Sequence, residues 1–284
     1  MIVAMLFAVA AGAVMKLLSN DLSPFLIAWC RFFGIVIILL PIVILTRRKQ
    51  LLRPTNPPVQ IVRGLCMAFS TVFFVLGART LDYADAIAIL YAYPFLVVLC
   101  APFYLGERVS AVGWISVLGG FFGVLLVVRP EFQTFDTGAL WVLACAGVVA
   151  GQMLLNRRLS SVTDPLVTSL WGGAVATLVH TLSLPFVWRP VTSEQIMLLL
   201  LLALLGAVSQ TLTVYAFRRT RASDLVPFTY SEILFAVAIG FFVFGTLPAA
   251  LSWVGIALIS MCGILVARSM TSRGTETPVE KAPV

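Results

Sequence analysis

The chain has 284 residues, of which 61% are hydrophobic and 11% are charged, and its mean hydropathy is +1.05. Soluble domains carry about 25% charged residues, so this composition excludes a soluble catalytic domain, and its many large apolar residues exclude a disordered chain. The net charge of +7 leaves nucleic acid as a partner to consider, but the distribution of the basic residues assigns that charge to membrane topology.

Ten apolar segments follow one another along the chain, each bounded by charged residues, proline or glycine. A helix that crosses a bilayer needs about 20 residues, and open strands cannot satisfy their backbone groups in lipid. The predicted spans are residues 2–18, 23–45, 58–78, 84–105, 110–128, 137–156, 164–187, 195–217, 222–245 and 248–267. The sequence therefore predicts an all-α membrane protein of ten transmembrane helices, with a disordered tail at residues 269–284.

Basic residues are shared unequally between the two ends of these spans. One end has fourteen, namely Arg47, Arg48, Lys49, Arg53, Arg63, Arg108, Arg157, Arg158, Arg218, Arg219, Arg221, Arg268, Arg273 and Lys281. The other end has four, namely Lys16, Arg79, Arg129 and Arg189. Because cytoplasmic loops carry the excess of Lys and Arg, we expect both termini to be cytoplasmic in a bacterial inner membrane.

The chain also repeats itself at an ungapped offset of 139 residues. The aligned pairs are Arg79 with Arg218, Asp85 with Asp224, Tyr91 with Tyr230, Gly106 with Gly245, Trp114 with Trp253 and Arg129 with Arg268. We predict one five-helix repeat at residues 1–134 and a second at residues 135–268. Since five is odd, the two repeats insert in opposite orientations, an architecture typical of secondary transporters with a central substrate site.

Three short motifs resemble the EamA family of the drug/metabolite transporter superfamily. They are Leu105-Gly106-Glu107-Arg108-Val109-Ser110 followed by Trp114, Leu22-Ser23-Pro24 leading to Arg31-Phe32, and Ser231-Glu232. The second repeat departs from the pattern, since Thr246-Leu247-Pro248 replaces the acidic–basic pair after Gly245. The resemblance implies export of small metabolites, amino acids and first of all aromatic ones, through a cavity lined by predicted helices 1, 3, 4, 6, 8 and 9.

Four ionisable residues fall within or near the predicted spans, where a charge costs about 2.5–3.5 kcal/mol at a helix centre. Lys16 is expected either to snorkel or to contact substrate, and His180 to be structural. Arg31 is either a clamp on backbone carbonyls or a ligand for substrate. Glu232, the only acidic residue well inside a span, is expected to bind a substrate amine, to carry a proton, to pair with a basic residue such as Arg31 or Lys16, or to hold helices together.

Tyrosines and amides at similar depth complete the predicted site. An apolar cavity with aromatic faces and a few hydrogen-bonding groups suits an amphipathic, often aromatic, solute. The predicted substrate-binding residues are Tyr91, Tyr93, Tyr230, Glu232, Arg31, Gln152, Gln210 and Tyr215. The alternative for the tyrosines is the aromatic belt found at membrane interfaces.

Other features of the sequence leave alternatives open. Asp82, Asp85 and Asp224 are predicted to cap helices, and Pro94 and Pro227 to act as hinges or as simple kinks. Gly119 and Gly123 form a small-residue face that packs either internally or in a homodimer. The five cysteines lack metal-ligand spacing, and no catalytic motif is present, so we expect no metal, no cofactor and no enzyme.

The alternative cargoes are threonine-like amino acids, nucleoside-like metabolites and cationic drugs. A channel or an intramembrane enzyme would be the alternative from another class. The expected partners are therefore a small-molecule substrate and the lipid bilayer, without nucleic acid, and the chain is expected to be a monomer or a homodimer.

Overall fold

The structure is a computed structural model that describes residues 1–52, 56–105, 111–128, 136–160, 163–219 and 231–273. These residues form helices joined by short connections, with no strand among them. The helices are α1 (Ile2–Ser19), α2 (Pro24–Leu52), α3 (Pro57–Gly77), α4 (Tyr83–Leu90), α5 (Tyr93–Leu105), α6 (Ala111–Val128), α7 (Thr137–Ser160), α8 (Pro165–Val187), α9 (Ser193–Arg219), α10 (Ser231–Phe244) and α11 (Ala250–Arg273).

Seven segments of the described chain are long and apolar enough to cross a membrane, and three shorter apolar helices accompany them. The shorter ones are residues Leu118–Val127, Ser231–Phe244 and Ala250–Leu265. Each of these ten segments falls on one of the ten predicted spans. The protein is an all-α membrane protein, as its sequence predicts.

The fourth predicted span is broken into α4 and α5 at Tyr91 and Ala92. Pro94 explains the break, because it has no N–H to donate to the carbonyl of Leu90. The N–H of Ala92 instead donates to the carbonyl of Ile89 over 3.0 Å, in the tighter pattern of a helix end. The predicted kink is therefore present, and it places Tyr91 and Tyr93 on either side of a helix interruption.

Two helix starts in the bundle follow from local sequence. α3 begins with two prolines after Asn56, whose φ of 51° is left-handed. α8 begins at Pro165 after Asp164, whose carboxylate accepts the N–H of Leu166 over 2.9 Å. Both starts lie at the same end of the bundle, since α2 and α7 run into them.

The two longest discrepancies with the predicted spans concern helix ends. α2 continues to Leu52 across a kink at Arg47, where φ is −141° and ψ is 26°. α11 continues to Arg273, six residues past the end of the predicted span and into the predicted tail. No glycine or proline interrupts the chain there before Gly274, so the helix extends past the apolar segment.

The small-residue face of α6 packs inside the molecule. Gly123 lies against Ile259 and the carbonyl of Gly255, and Gly119 lies against Cys262, all on α11. α6 and α11 form the most extensive helix–helix contact of the described chain. Of the two alternatives for this face, the structure shows the internal one, in which the absence of side chains lets two backbones approach closely.

The predicted repeats face each other through α1, α2 and α3 on one side and α7, α8 and α9 on the other. One apolar cluster fills the space between α2, α3 and α8, and a larger one surrounds α1 and α4. We call the end where α2 and α7 finish the Arg47 end, and the opposite end, where α7 begins after Asp136, the Asp136 end.

Candidate functional site

Arg31 lies in the interior where α1, α2, α3 and α9 meet. Its Nη1 donates to Thr71 Oγ1 over 3.2 Å and to Met15 Sδ over 3.7 Å. Gly206 of α9 lies directly behind the side chain, since a methyl group there would stand 3.5 Å from Arg31 Cγ. The buried Nε has no hydrogen-bond acceptor among the described residues. Arg31 is thus fixed at one nitrogen and has a further donor unused.

Glu232 and Tyr91 are brought together from α10 and the break between α4 and α5. The Tyr91 hydroxyl donates to Glu232 Oε2 over 2.8 Å. The rings of Tyr91 and Tyr93 lie 5.6 Å apart between centroids, tilted by 51°. Tyr91 is only 1% exposed, so it does not belong to an interfacial belt. The helix break therefore presents two aromatic rings beside an interior carboxylate.

Arg31 and Glu232 are a basic and an acidic residue in the same interior region of the bundle. They do not form an ion pair in the described part of the chain, where the one ion pair joins Arg47 to Asp164. Tyr83 lies in the same region. We call Arg31, Thr71, Tyr91, Tyr93 and Glu232 the central cluster. It contains one basic group, one acidic group and two aromatic rings, and both predicted repeats contribute to it.

Tyr83 is a member of this region that the sequence did not single out. It is fully buried, its hydroxyl donates to the carbonyl of Val9 over 2.5 Å, and its ring lies 5.8 Å from that of Phe244. Gly12 makes the room, because a methyl group there would collide with the Tyr83 hydroxyl. A tyrosine at the start of a predicted membrane span is typical of the interfacial aromatic belt. Only its packing in the structure shows that Tyr83 is an interior residue.

Lys16 lies towards the Asp136 end. Its Nζ donates to the carbonyl of Leu81 and stands 5.2 Å from the centroid of the Phe244 ring. A cation over an aromatic face is stabilised by about 0.5–2 kcal/mol, depending on how far it is desolvated. The amine is therefore engaged with the protein instead of extending freely along the helix, and Phe244 links it to the second repeat.

Arg63 is a second buried arginine, and the structure corrects its placement in the loop count. It lies within α3, is 3% exposed, and donates from Nη1 to the carbonyl of Thr168 over 2.8 Å and from Nε to Asn156 Oδ1. Gly172 makes room for the guanidinium, since a methyl group there would overlap Nη1. Arg63 stands only six positions after the start of its helix, next to a loop rich in basic residues. The sequence analysis therefore counted it with the charges of that loop and did not predict a buried contact.

The remaining predicted site residues have different outcomes. Gln210 donates to Ser169 Oγ over 2.9 Å, and Ser169 follows Thr168, whose carbonyl accepts Arg63. Gln152 is half-buried on α7, and no hydrogen bond of the described chain joins it to Arg31 or Glu232. Tyr230 and the side chain of Tyr215 lie outside the described residues.

The histidine and the predicted caps complete the ionisable residues. His180 is buried between the rings of Phe25 and Phe32, at centroid distances of 6.0 and 6.2 Å. Neither of its ring nitrogens has a hydrogen-bond partner among the described residues, so the hydrogen-bonded role expected for this histidine is not shown. Asp82 stands at the N-cap of α4 but makes no capping bond with its side chain, contrary to the prediction. Asp224 lies outside the described residues. Among the described residues, no three metal-binding side chains come together.

The fold and the central cluster define a multi-pass membrane protein whose two halves enclose charged and aromatic side chains. The sequence profile described as the EamA-like transporter family matches residues 1–129 and again residues 136–268. The chain belongs to the EamA-like transporter family. One solved crystal structure matches 96% of this chain and 99% of its own with a TM-score of 0.62, and at 20% identity this likeness concerns the fold alone.

Several curated relatives carry small molecules. The chain is 26% identical over 242 residues to an S-adenosylmethionine uptake transporter of Rickettsia conorii, covering 84% of this chain and 81% of the relative. It is 26% identical over 223 residues to a riboflavin transporter of Rhizobium johnstonii, covering 78% and 74%. It is 29% identical over 218 residues to the pseudopaline exporter CntI of Pseudomonas aeruginosa, covering 75% of each chain.

These relatives show that the chain is a transporter of small metabolites, but they do not specify which metabolite it carries. None of the three is named for an aromatic amino acid, so the resemblance to exporters of that subgroup gains no support from them. Their names include both uptake and export, so family membership does not determine the direction of transport.

Proposed function

We propose that the chain is a secondary transporter of the bacterial inner membrane for small zwitterionic metabolites that carry a flat ring. The observation that carries the proposal is the central cluster, in which Glu232 accepts the Tyr91 hydroxyl next to the Tyr93 ring, and Arg31 supplies a guanidinium in the same interior region. The cargo carboxylate binds the free Nε of Arg31, and the cargo ammonium approaches Glu232. Residues 1–134 and 135–268 move as the two units of alternating access.

Amino acids with aromatic side chains are the simplest cargo with this chemistry. S-adenosylmethionine, for which one relative is named, has the same pair of charged groups together with a purine ring. Riboflavin has a flat ring system but lacks the carboxylate and the ammonium. The proposal therefore ranks phenylalanine and S-adenosylmethionine above riboflavin, and above alanine, which has the charges but no ring.

Counterflow into liposomes tests the proposal. Purified protein is reconstituted in vesicles loaded with unlabelled solute, and uptake of the same labelled solute is followed for phenylalanine, S-adenosylmethionine, riboflavin and alanine. We expect saturable counterflow for the first two and weak counterflow for the others. Flux that neither saturates nor shows counterflow would indicate a channel, and counterflow of riboflavin alone would refute the zwitterion requirement.

We also propose that the Arg47 end and both termini face the cytoplasm, as the basic residues predict. In a chain whose five native cysteines are replaced by alanine, Gln133→Cys should react with a membrane-impermeant maleimide on intact cells. Gln50→Cys should react only after the membrane is opened. The reverse labelling pattern would show that the orientation is opposite to the proposed one, and it would not bear on the proposed cargo.

A further inference from the structure

Asp164 has two roles at the Arg47 end. Its Oδ1 accepts the N–H of Leu166 over 2.9 Å and caps α8, while its Oδ2 accepts Arg47 Nε over 2.8 Å. The side chains are 32% and 10% exposed for Arg47 and Asp164. The ion pair therefore connects the end of α2 in the first repeat with the start of α8 in the second.

Arg63 and Gln60 connect the same two repeats one turn deeper. Arg63 of α3 donates to the carbonyl of Thr168 on α8 and to Asn156 on α7. Gln60, which is fully buried, lies with its Nε2 3.5 Å from Thr168 Oγ1. All of these donors belong to the first repeat, and all of the acceptors belong to the second. Apart from Asn156, the acceptors lie within residues 164–168.

We propose that Arg47, Gln60 and Arg63, with their acceptors Asn156, Asp164 and Thr168, form a latch that holds the Arg47 end closed. The proposal rests on the alternating access of the two repeats proposed above, because one end of the molecule must then separate while the other stays closed. The latch contacts cross the boundary between those units, so the Arg47 end opens only when they break.

The chemistry of the acceptors makes the latch reversible. When the repeats separate, Asp164 keeps its bond to Leu166, so α8 keeps its cap. The carbonyl of Thr168 lies inside α8 and keeps its helical partner four residues along the chain. The donors lie within the first two turns of α3 or at the end of α2, where cytoplasmic water replaces their lost partners. Opening therefore leaves no helix end unsatisfied in the membrane interior.

The Asp136 end provides a matched comparison. Asp136 Oδ1 accepts the N–H of Gly138 over 2.7 Å, which caps α7, and the hydroxyl of Thr80 over 2.6 Å from the first repeat. This cap also joins the two repeats, but its partner is neutral and exposed. Asp136 and Asp164 thus differ in the charge of the residue that they bind.

Substitution of each aspartate by asparagine separates the latch from the cap, because asparagine caps a helix about as well as aspartate. The reporter is Ser169→Cys, a buried position next to Thr168, in the cysteine-free chain. Its rate of reaction with an impermeant maleimide is measured without substrate in inside-out and right-side-out vesicles. We expect Asp164→Asn to raise the rate in inside-out vesicles about two- to fivefold. Asp136→Asn should leave that rate unchanged.

Arg63→Gln should raise the same rate about tenfold or more, because it removes hydrogen bonds from a charged donor. Parental rates in both Asp164→Asn and Arg63→Gln would overturn the latch. A rise that is equal in Asp164→Asn and Asp136→Asn would also overturn it, since it would show general loosening. A rise only in right-side-out vesicles would support the latch and refute the proposed orientation, and counterflow of the parent tests the cargo separately.

Discussion

Arg31 and Arg63 are two guanidinium groups on helices of the first repeat, both buried against helices of the second. Arg31 contacts a hydroxyl and a thioether, shares its region with Glu232, and has an Nε without an acceptor among the described residues. Arg63 contacts a backbone carbonyl and an amide oxygen and has no carboxylate bonded to it in the described chain.

This difference in hydrogen bonding makes Arg31 suited to binding a ligand and Arg63 suited to holding neighbouring helices together. A buried donor without a partner carries a cost of about 1–3 kcal/mol or more, which a ligand can relieve. A donor whose partners are fixed on a neighbouring helix contributes to the packing of that helix instead. We therefore expect substitution of Arg31 to reduce transport with little effect on stability, and substitution of Arg63 to reduce stability and open the latch.

The largest expected effect is the loss of transport in Arg31→Gln. Hydrogen bonds to charged groups are worth about 1.5–3 kcal/mol, so the initial rate of counterflow should fall about 10- to 100-fold. The melting temperature in detergent should stay near that of the parent. Arg63→Gln is the matched variant, and it should lower the melting temperature by about 2–10 °C for a loss of about 1–3 kcal/mol. Equal effects of the two variants on both measurements would remove the distinction between the arginines.

Glu232→Gln should reduce transport by about tenfold while leaving expression and melting temperature near those of the parent. Glutamine keeps an oxygen that accepts the Tyr91 hydroxyl but removes the negative charge, so only a role that needs the charge is lost. Any dependence of the flux on pH should flatten as well. Glu194→Gln, at an exposed carboxylate in the first turn of α9, is the control. Parental flux with unchanged pH dependence would exclude Glu232 from the mechanism.

Tyr91→Ala should weaken counterflow of phenylalanine more than counterflow of alanine, by a factor of about 2–10. Contact between aromatic rings is worth about 0.5–1.5 kcal/mol beyond the burial of area, and only the aromatic cargo loses it. Tyr91→Phe keeps the ring and removes the hydroxyl bonded to Glu232, so it should preserve the preference for phenylalanine. An equal loss for both cargoes in Tyr91→Ala would indicate that the ring serves packing at the helix break. The sequence predicts the same selectivity for Tyr230→Ala.

The smallest effect is expected at Gly206, one of the two glycines behind the arginines, and Gly172 is its matched comparison. A methyl group at Gly172 would overlap the Arg63 guanidinium and Met67 Sδ, so Gly172→Ala should cost about 1–3 kcal/mol of stability. A methyl group at Gly206 would rest against Arg31 Cγ at 3.5 Å, an ordinary contact, so Gly206→Ala should be within about 1 kcal/mol of the parent. Thermal unfolding of the two variants measures the difference. A larger loss in Gly206→Ala would show that Arg31 is packed as tightly as Arg63.

The helices were predictable because membrane spans depend on length and apolar composition, which a sequence displays directly. The break at Tyr91 was also predictable, since Pro94 lacks an N–H wherever it stands. The extension of α11 to Arg273 was not, because a polar helix that leaves the membrane has no apolar signal. The side on which Gly119 and Gly123 pack depends on a partner helix more than a hundred residues away, so the sequence left it open.

The site was predictable where a residue is costly in lipid and unpredictable where several helices must meet. Arg31 and Glu232 were identified because an ionisable side chain inside a membrane span is costly and therefore indicates a specific role. Tyr83 and Arg63 were missed because each stands near a helix end, where aromatic and basic residues are ordinary. Gln210 was assigned to the substrate site as a polar group on an otherwise apolar helix. Its bond to Ser169 was not predictable, since the sequence does not specify which neighbour a side chain faces.

The close packing of Gly123 against Gly255 has a consequence for how the halves move. α6 and α11 are the last helices of the two predicted repeats, and the carbonyls of Gly123 and Gly255 each lie close to the other helix. With Ile259 and Val127 packed beside it, this contact has little freedom to slide, so under the proposed alternating access α6 and α11 should keep their relative position. The remaining helices of each repeat would then rotate about the α6–α11 pair. The largest displacements would occur in the helices farthest from this pair. A distance measured between spin labels across α6 and α11 should accordingly stay constant through the transport cycle.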